Sequence, residues 1–311
     1  MAKYNTVKVF APATVSNVAV GFDILGFAID GLGDDVLVRK GTTPGLVLKT
    51  IHKNKGLTKD ILSNTATYGA YKLIQSLGLE KEPIEMELYK HMDIGTGLGS
   101  SAASAVAGVF AVNEFLGRPY TKRELLPFAM ASEQMADGSY HADNIAPCML
   151  GGFIFIRDNE SLDCHRLAVP SGLRAVIVHP KIEVLTKSSR AVLKDNIALS
   201  EHIRQSGNLG GFLLGMYKSD FDLIKRSLED LIIEKQRAHL IPHFSEIKSS
   251  AIRAGALGCS ISGAGPSVFA LCNNSLIAEN IKEQWSDLLL EKNIEFDCFI
   301  ADINHEGVQA Y

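Results

Sequence analysis

The strongest constraint on this chain is the stretch from Asp93 to Gly117, DIGTGLGSSAASAVAGVFAVNEFLG. Glycines at alternate positions (Gly95, Gly97, Gly99) lead into Ser100 and Ser101 and then a run of small apolar residues. Gly117 and Pro119 stop that run, as expected at a helix C-terminus. Just ahead of it Ile84, Met86 and Leu88 alternate with Glu85, Glu87 and Tyr89, the period of a half-buried strand. The predicted order is therefore strand, glycine loop, helix. A helix N-terminus presents unsatisfied N–H groups and the positive end of the macrodipole, and glycines let a ligand approach the backbone. The guest such a loop suits is an anion, and a polyphosphate above all. A plain glycine turn is the competing reading of the same residues.

Two better-known phosphate loops fit less well. The dinucleotide fingerprint wants glycine or alanine at position 100, where Ser100 stands, and an acidic residue ending the next strand about 20 residues on. Here Glu114 falls inside the helix. The form ending in Gly-Lys is absent, since no Gly-Lys pair occurs in the chain. A nicotinamide-dependent oxidoreductase using Gly95–Gly99 stays open as a different class of function.

At 311 residues two domains are expected. The texture changes near residues 160–170, which divides the chain into 1–165 and 166–311. Apolar content of 46% can fill substantial cores, and a formal charge of −4 argues against nucleic-acid or membrane-surface binding. Five scattered cysteines without a C-x-x-C pair indicate a reduced, cytoplasmic setting. The longest apolar run, Ala102 to Val112, is too short to span a bilayer.

Other loops concentrate polar groups. Ala11 to Gly26 is mostly apolar yet holds Asn17 and Asp23, and a charge in such company needs a partner. Turn duty and ligand duty are equally open for that pair. Asn64 precedes a helical pattern, and Thr121 with Glu124 forms a capping box for a helix whose last turn carries Glu133. Asp137 to Pro147 gathers His141, Asp143 and Asn144, either an Asx-rich turn or a functional loop. In the second half a helix from Thr186 carries Arg190, Phe221–Ile233 reads as one helix, and Arg237 follows it. Each arginine has an ordinary alternative as a surface or interdomain ion pair. Ser262 to Ser267, S-G-A-G-P-S, is a turn between strands.

Taken in order, P-A-T-V-S-N-V-A-V-G-F-D, G-T-G-L-G-S-S-A-A-S and S-G-A-G-P-S resemble the three motifs of the GHMP small-molecule kinases. S-N-x-x-V-G-F-D and H-A-D-N-I-A-P are most similar to the branch that phosphorylates L-homoserine. The likeness runs over essentially the whole chain. One departure is Asp93, where that family usually has proline. The resemblance implies an α+β architecture, an N-terminal domain like domain 2 of ribosomal protein S5 followed by a ferredoxin-like domain. It implies ATP bound between them, its phosphates on Gly95, Thr96, Gly97, Leu98, Gly99, Ser100, Ser101 and Ala102, its adenine near Asn64, and Mg²⁺ on Ser101 and Glu133. The acceptor's carboxylate would meet Arg190 and Arg237, and its ammonium Asp23 and Asn17, with Asn144 and Gly263 also lining its site. Asp143 would stand nearest the reacting hydroxyl with Asn144 and His141 beside it, as base or orienter. Homodimers are common in the family. A kinase for another small alcohol such as mevalonate, and a binding module without catalysis, remain as alternatives.

Overall fold

The computed structural model describes residues 5–53, 56–138, 140–182, 186–194 and 196–311. The first half contains β1 (Thr6–Ser16), β2 (Leu25–Lys40), β3 (Leu46–His52), α1 (Thr65–Ser76), β4 (Ile84–Tyr89), α2 (Ser100–Phe115), α3 (Lys122–Asp137), α4 (Ile145–Leu150), β5 (Phe153–Asp158) and β6 (Asp163–Arg166). The second contains β7 (Arg174–Pro180), α5 (Thr186–Ala191), α6 (Leu199–Lys218), α7 (Phe221–Ser227), α8 (Ile233–Arg237), α9 (Phe244–Arg253), β8 (Gly258–Ile261), β9 (Val268–Cys272), α10 (Ser275–Glu291), β10 (Phe296–Asp302) and β11 (Gln309–Ala310).

Seven strands form the first sheet, in the order β11-β1-β2-β4-β3, with β5 and β6 extending from β2. Among the described residues only β3 and β4 run parallel in it, joined by the α1 crossover that parallel neighbours require. A dinucleotide-binding fold would need a largely parallel sheet, so the oxidoreductase alternative fails here. α2 lies against β1, β2, α1 and α3, with all its residues but Ser101 buried. That is why its sequence is apolar all round instead of striped. The helix that opens at the glycine loop is thus the centre of the first core.

The second sheet runs β10-β7-β9-β8, antiparallel throughout, which is the ferredoxin-like order. β7 is buried on both faces. Ala175 and Ile177 join the core shared with the first sheet, and Val176 and Val178 join the core under α9 and α10. Across the seam Phe27 meets Phe269 edge-on, ring centroids 5.9 Å apart. β11 returns to pair with β1, so the last residues of the chain belong to the first sheet.

Two elements differ from their sequence reading. Phe221–Ile233 is not one helix: α7 ends at Ser227, and Asp230 caps α8 by accepting from the N–H groups of Ile232, Ile233 and Glu234 at 2.9–3.0 Å. The loop before Pro147 closes into α4, a helix too short to show a period.

Candidate active site

β4 delivers the chain into the glycine loop, and Gly95, Gly97 and Gly99 all take left-handed backbone conformations. At two of them the reason is close approach. A Cβ at Gly97 would lie 2.5 Å from the Ser262 carbonyl oxygen, and one at Gly99 would collide with Thr14 Oγ1. The glycine loop is thereby clamped between the other two motif loops. Thr14 N donates to Leu98 O at 3.1 Å, Ser267 N to Thr96 O at 3.3 Å, and Ser262 Oγ to Gly97 O at 2.6 Å. Three stretches far apart in sequence, around Thr14, Leu98 and Ser262–Ser267, meet at one point.

α2 starts at Ser100 behind Gly99, without a side-chain cap. Its first N–H groups therefore have no side-chain acceptor, the condition in which a helix end can take an anion. The Ser101 side chain is exposed at that end. Ser100 is buried, and among the described residues its Oγ has no hydrogen-bond partner. Beneath the same turn lies a pair that sequence reading missed. The Lys90 ammonium binds the Asp34 carboxylate and donates to Ser100 O at 2.8 Å and Ser104 Oγ at 3.0 Å. Asp34 in turn accepts from the N–H groups of His91 and Met92. Burial lowers the Lys90 pKa, and Asp34, with Glu133 and Asp93 farther off, opposes that shift. Such a pair locks the strand before the loop to the helix after it, directly beneath Ser100. An acidic residue inside the apolar alternation of β2 was the available signal.

Asn64 caps α1: its Oδ1 accepts from Ala66 N at 2.9 Å and its Nδ2 donates to Thr58 O at 2.7 Å. Burial at 3% exposure leaves little of this side chain for a ligand.

The acidic residue Asp143 is 5% exposed, and its pKa is pushed up to about 7. Burial is the main cause and the Asp23 charge the second, opposed by the Ser16 hydroxyl and Arg190. A hydrogen-bonded chain steadies it. Thr14 Oγ1 donates to Asn144 Oδ1 at 2.7 Å, Asn144 Nδ2 to Ser16 Oγ at 3.2 Å, and Ser16 bonds Asp143. Thr14 and Ser16 carried no sequence signal beyond their place in the first motif.

Asp23 and Asn17 perform turn duty. Asn17, Val18 and Ala19 have consecutive positive φ values of 70°, 41° and 56°, a costly arrangement for non-glycine residues and above all for β-branched valine. Asn17 holds the turn by accepting from Asp23 N at 3.0 Å and donating to Gly263 O at 2.9 Å. Asn159 ties it to the next loop, donating to Asp23 O at 3.0 Å and accepting from Ala142 N at 2.8 Å.

Arg190 binds Asp23 through both guanidinium N–H₂ groups, at 2.8 and 3.2 Å, and His141 Nε2 lies 3.5 Å from the same carboxylate. Arg237 is 4% exposed, donating to Ser189 O at 2.9 Å and Gly263 O at 3.1 Å. Its pKa is lowered to about 10, by burial first and Arg190 second, so it stays charged at neutral pH. Phe22 sits between the two arginines, 4.9 Å from Arg237 and 5.3 Å from Arg190. Both arginines thus converge on the first loop, and the surface ion-pair alternative holds only for the Arg190–Asp23 contact.

A strained turn, a glycine-clamped helix end and side chains of both charges meet where the three motif loops converge, an arrangement that can hold an anion beside a group carrying both signs. Comparison with known proteins points the same way. Residues 64–152 match the GHMP kinases N terminal domain and residues 212–289 the GHMP kinases C terminal domain. The homoserine kinase of Chloroherpeton thalassium is 42% identical over 96% of this chain and 97% of its own length. That of Chlorobaculum tepidum is 40% identical over 98% of each. The crystal structure of homoserine kinase from Cytophaga hutchinsonii superposes with a TM-score of 0.97 at 46% identity, over 100% of this chain and 99% of that one. A mevalonate kinase structure reaches 0.72 at 16% identity, a likeness of fold alone. The chain belongs to the homoserine kinases, a family of the GHMP kinases.

Proposed function

We propose that this chain transfers the terminal phosphoryl group of ATP to the side-chain hydroxyl of L-homoserine, giving O-phospho-L-homoserine and ADP. The observation that carries the reading is the charge pattern of the cleft: two arginines and a carboxylate face a buried Asp143 at the seam with the glycine loop. Mevalonate has no ammonium to satisfy Asp23, whereas an amino acid satisfies both signs. Binding would replace the Asp23–Arg190 pair with two, substrate ammonium on Asp23 and substrate carboxylate on Arg190 and Arg237. Asn17 and Gly263 hold those groups in place, and His141 shares Asp23.

In the reaction the substrate oxygen forms a bond to the γ-phosphorus. The bond from that phosphorus to the β,γ-bridging oxygen breaks, its electrons leaving on ADP. The hydroxyl proton goes to Asp143, whose pKa near 7 suits it to accept one at neutral pH. Asn144 and Ser16 orient that carboxylate. The backbone from Gly95 to Ala102 cradles the phosphates, Lys90 supports it from below, and the adenine lies toward Asn64.

For Mg²⁺ the donors would be the Ser101 hydroxyl and the Glu133 carboxylate. Among the described residues no cluster of three or more His, Cys, Asp or Glu side chains forms a protein cage. When bound, the ion offsets charge on the phosphate oxygens. Ser101→Ala is expected to raise the Mg²⁺ concentration for half-maximal turnover about tenfold, an estimate for one lost ligand. An unchanged Mg²⁺ titration would remove Ser101 from the ligand set.

The function itself is tested by acceptor profile. With ATP–Mg²⁺, homoserine should exceed threonine, serine and mevalonate in kcat/KM, the first two by one side-chain change and mevalonate by the missing ammonium. Preference for mevalonate would overturn the reading. Among the described residues no helix is long and apolar enough to cross a membrane. We place the enzyme in the cytoplasm, where ATP and reduced cysteines coexist, and expect it to act as a homodimer.

A further inference from the structure

One side chain outside all three motif loops bonds to both of the acidic segments on which the proposed reaction depends. Asn159 lies in the turn between β5 and β6, where Asp158 accepts from the N–H and the hydroxyl of Ser161 and so fixes the turn. The Asn159 amide reaches in two directions. Its Nδ2 donates to the Asp23 carbonyl oxygen at 3.0 Å, and its Oδ1 accepts from Ala142 N at 2.8 Å. Ala142 is fully buried and immediately precedes Asp143. Asp23 and Asp143, far apart in sequence, are thereby joined through one planar amide.

Both ends of this link are held from a second side. Asp23 has a left-handed backbone, φ 62°, which a non-glycine residue adopts at a cost. Asn17 accepts from its N–H at 3.0 Å while Asn159 donates to its carbonyl, so two amide side chains grip the residue fore and aft. At the other end the Asp143 carbonyl oxygen lies against Gly26, where a Cβ would stand 1.8 Å from it. The strand that carries the turn is anchored beside them: β5 pairs with β2 from Leu25 to Phe27, and Ile156 N donates to Ile24 O at 2.9 Å. Sheet, turn and both acidic segments form one hydrogen-bonded frame.

We propose that Asn159 is a specificity-determining residue: it fixes the distance between Asp23 and Asp143, and through that distance the length of the hydroxy amino acid that can react. The proposal rests on the phosphotransfer reading above, in which Asp23 takes the acceptor's ammonium and Asp143 stands beside its hydroxyl. Homoserine and serine present the same ammonium and carboxylate and differ by one methylene between Cα and the hydroxyl. With the charged end pinned, serine leaves its oxygen about 1 Å short of Asp143, and a displacement of that size costs on the order of 100-fold in rate. Such discrimination needs a fixed frame, because a segment free to shift by the same amount would close on the shorter substrate. Asn159 touches neither substrate and acts by positioning the two residues that do.

The test compares kcat/KM for homoserine and for serine under ATP–Mg²⁺. Asn159→Ala should lower the homoserine value about 10- to 100-fold and cut the homoserine-to-serine ratio about tenfold, with KM for ATP within about twofold of the parent chain. Should that variant fold poorly, Asn159→Asp has the same shape, keeps the acceptor for Ala142 N and loses the donor to Asp23 O, and its ratio should fall as well. Thr121→Ala removes the cap of α3, beyond the opposite end of α2 from the glycine loop. It should lower the melting temperature and leave the ratio unchanged. A ratio that holds in both Asn159 variants, a rise in KM for ATP as large as that for homoserine, or an equal fall of the ratio in Thr121→Ala overturns the proposal and leaves the phosphotransfer reading standing. A parent chain that does not phosphorylate homoserine overturns both.

Discussion

Replacing Arg237 with alanine will raise the KM for homoserine strongly while leaving the KM for ATP within about threefold. The side chain is buried, charged and hydrogen-bonded to Ser189 O and Gly263 O, and it faces Arg190 across the Phe22 ring. Truncating a buried, hydrogen-bonded charge costs about 2–4 kcal/mol, which corresponds to a loss of roughly 30- to 1,000-fold in kcat/KM. Because the same guanidinium also ties α5 to the third motif loop, Arg237→Lys is the necessary companion. It keeps the charge but not the fork, and should recover part of the binding. Equal loss of ATP and homoserine binding in both variants would mean that Arg237 only holds the domains together.

The second large effect concerns Asp143. Its pKa in the fold, about 7, stands well above that of an unfolded aspartate. Between the unfolded and folded values the native state binds the extra proton, so stability falls as pH rises through that window and levels off above pH 7. The cost of the ionised form at high pH is on the order of 4 kcal/mol. Asp143→Asn removes that cost, and the variant should melt several degrees higher at pH 8 than the parent chain, with the difference shrinking below pH 5. Activity should move the other way. For a proton acceptor the loss in kcat is about 10²- to 10⁴-fold. In the parent chain kcat/KM should rise with pH and flatten above about 7, and that inflection should vanish from the residual activity of the variant. A variant that loses activity only severalfold and keeps the inflection would make Asp143 an orienter of the hydroxyl. Gain in stability together with loss of turnover is what a residue strained for function predicts.

Much of this was legible from residue order alone. The alternation of Ile84, Met86 and Leu88 gave β4, the glycines gave the loop, and the small apolar run gave α2, because a strand, a turn and a buried helix each leave a local period. Thr121 and Glu124 form the capping box at the start of α3 through mutual hydrogen bonds. What stayed hidden depends on distant partners. Lys90 and Asp34 look like ordinary charges until β2 and β4 bring them under Ser100, and Thr14 and Ser16 matter only because Asn144 lands beside them. The break after Ser227 was missed because leucine and isoleucine continue the helical period, while Asp230 restarts the helix through three backbone contacts. Arg190 and Asp23, which the resemblance assigns to opposite ends of one zwitterion, are paired with each other. Charge pattern in sequence names the participants and says nothing of who holds whom before the ligand arrives.

The central claim is that the N-terminus of α2 holds a triphosphate while Asp23, Arg190 and Arg237 hold a zwitterion against its end. A crystal structure with a non-hydrolysable ATP analogue, Mg²⁺ and homoserine tests it directly. The account predicts phosphate oxygens within hydrogen-bond distance of the N–H groups of Ser100 to Ala102, the homoserine carboxylate on Arg237, and its hydroxyl beside Asp143. Phosphates bound away from α2, or homoserine bound with its carboxylate turned from both arginines, would contradict it.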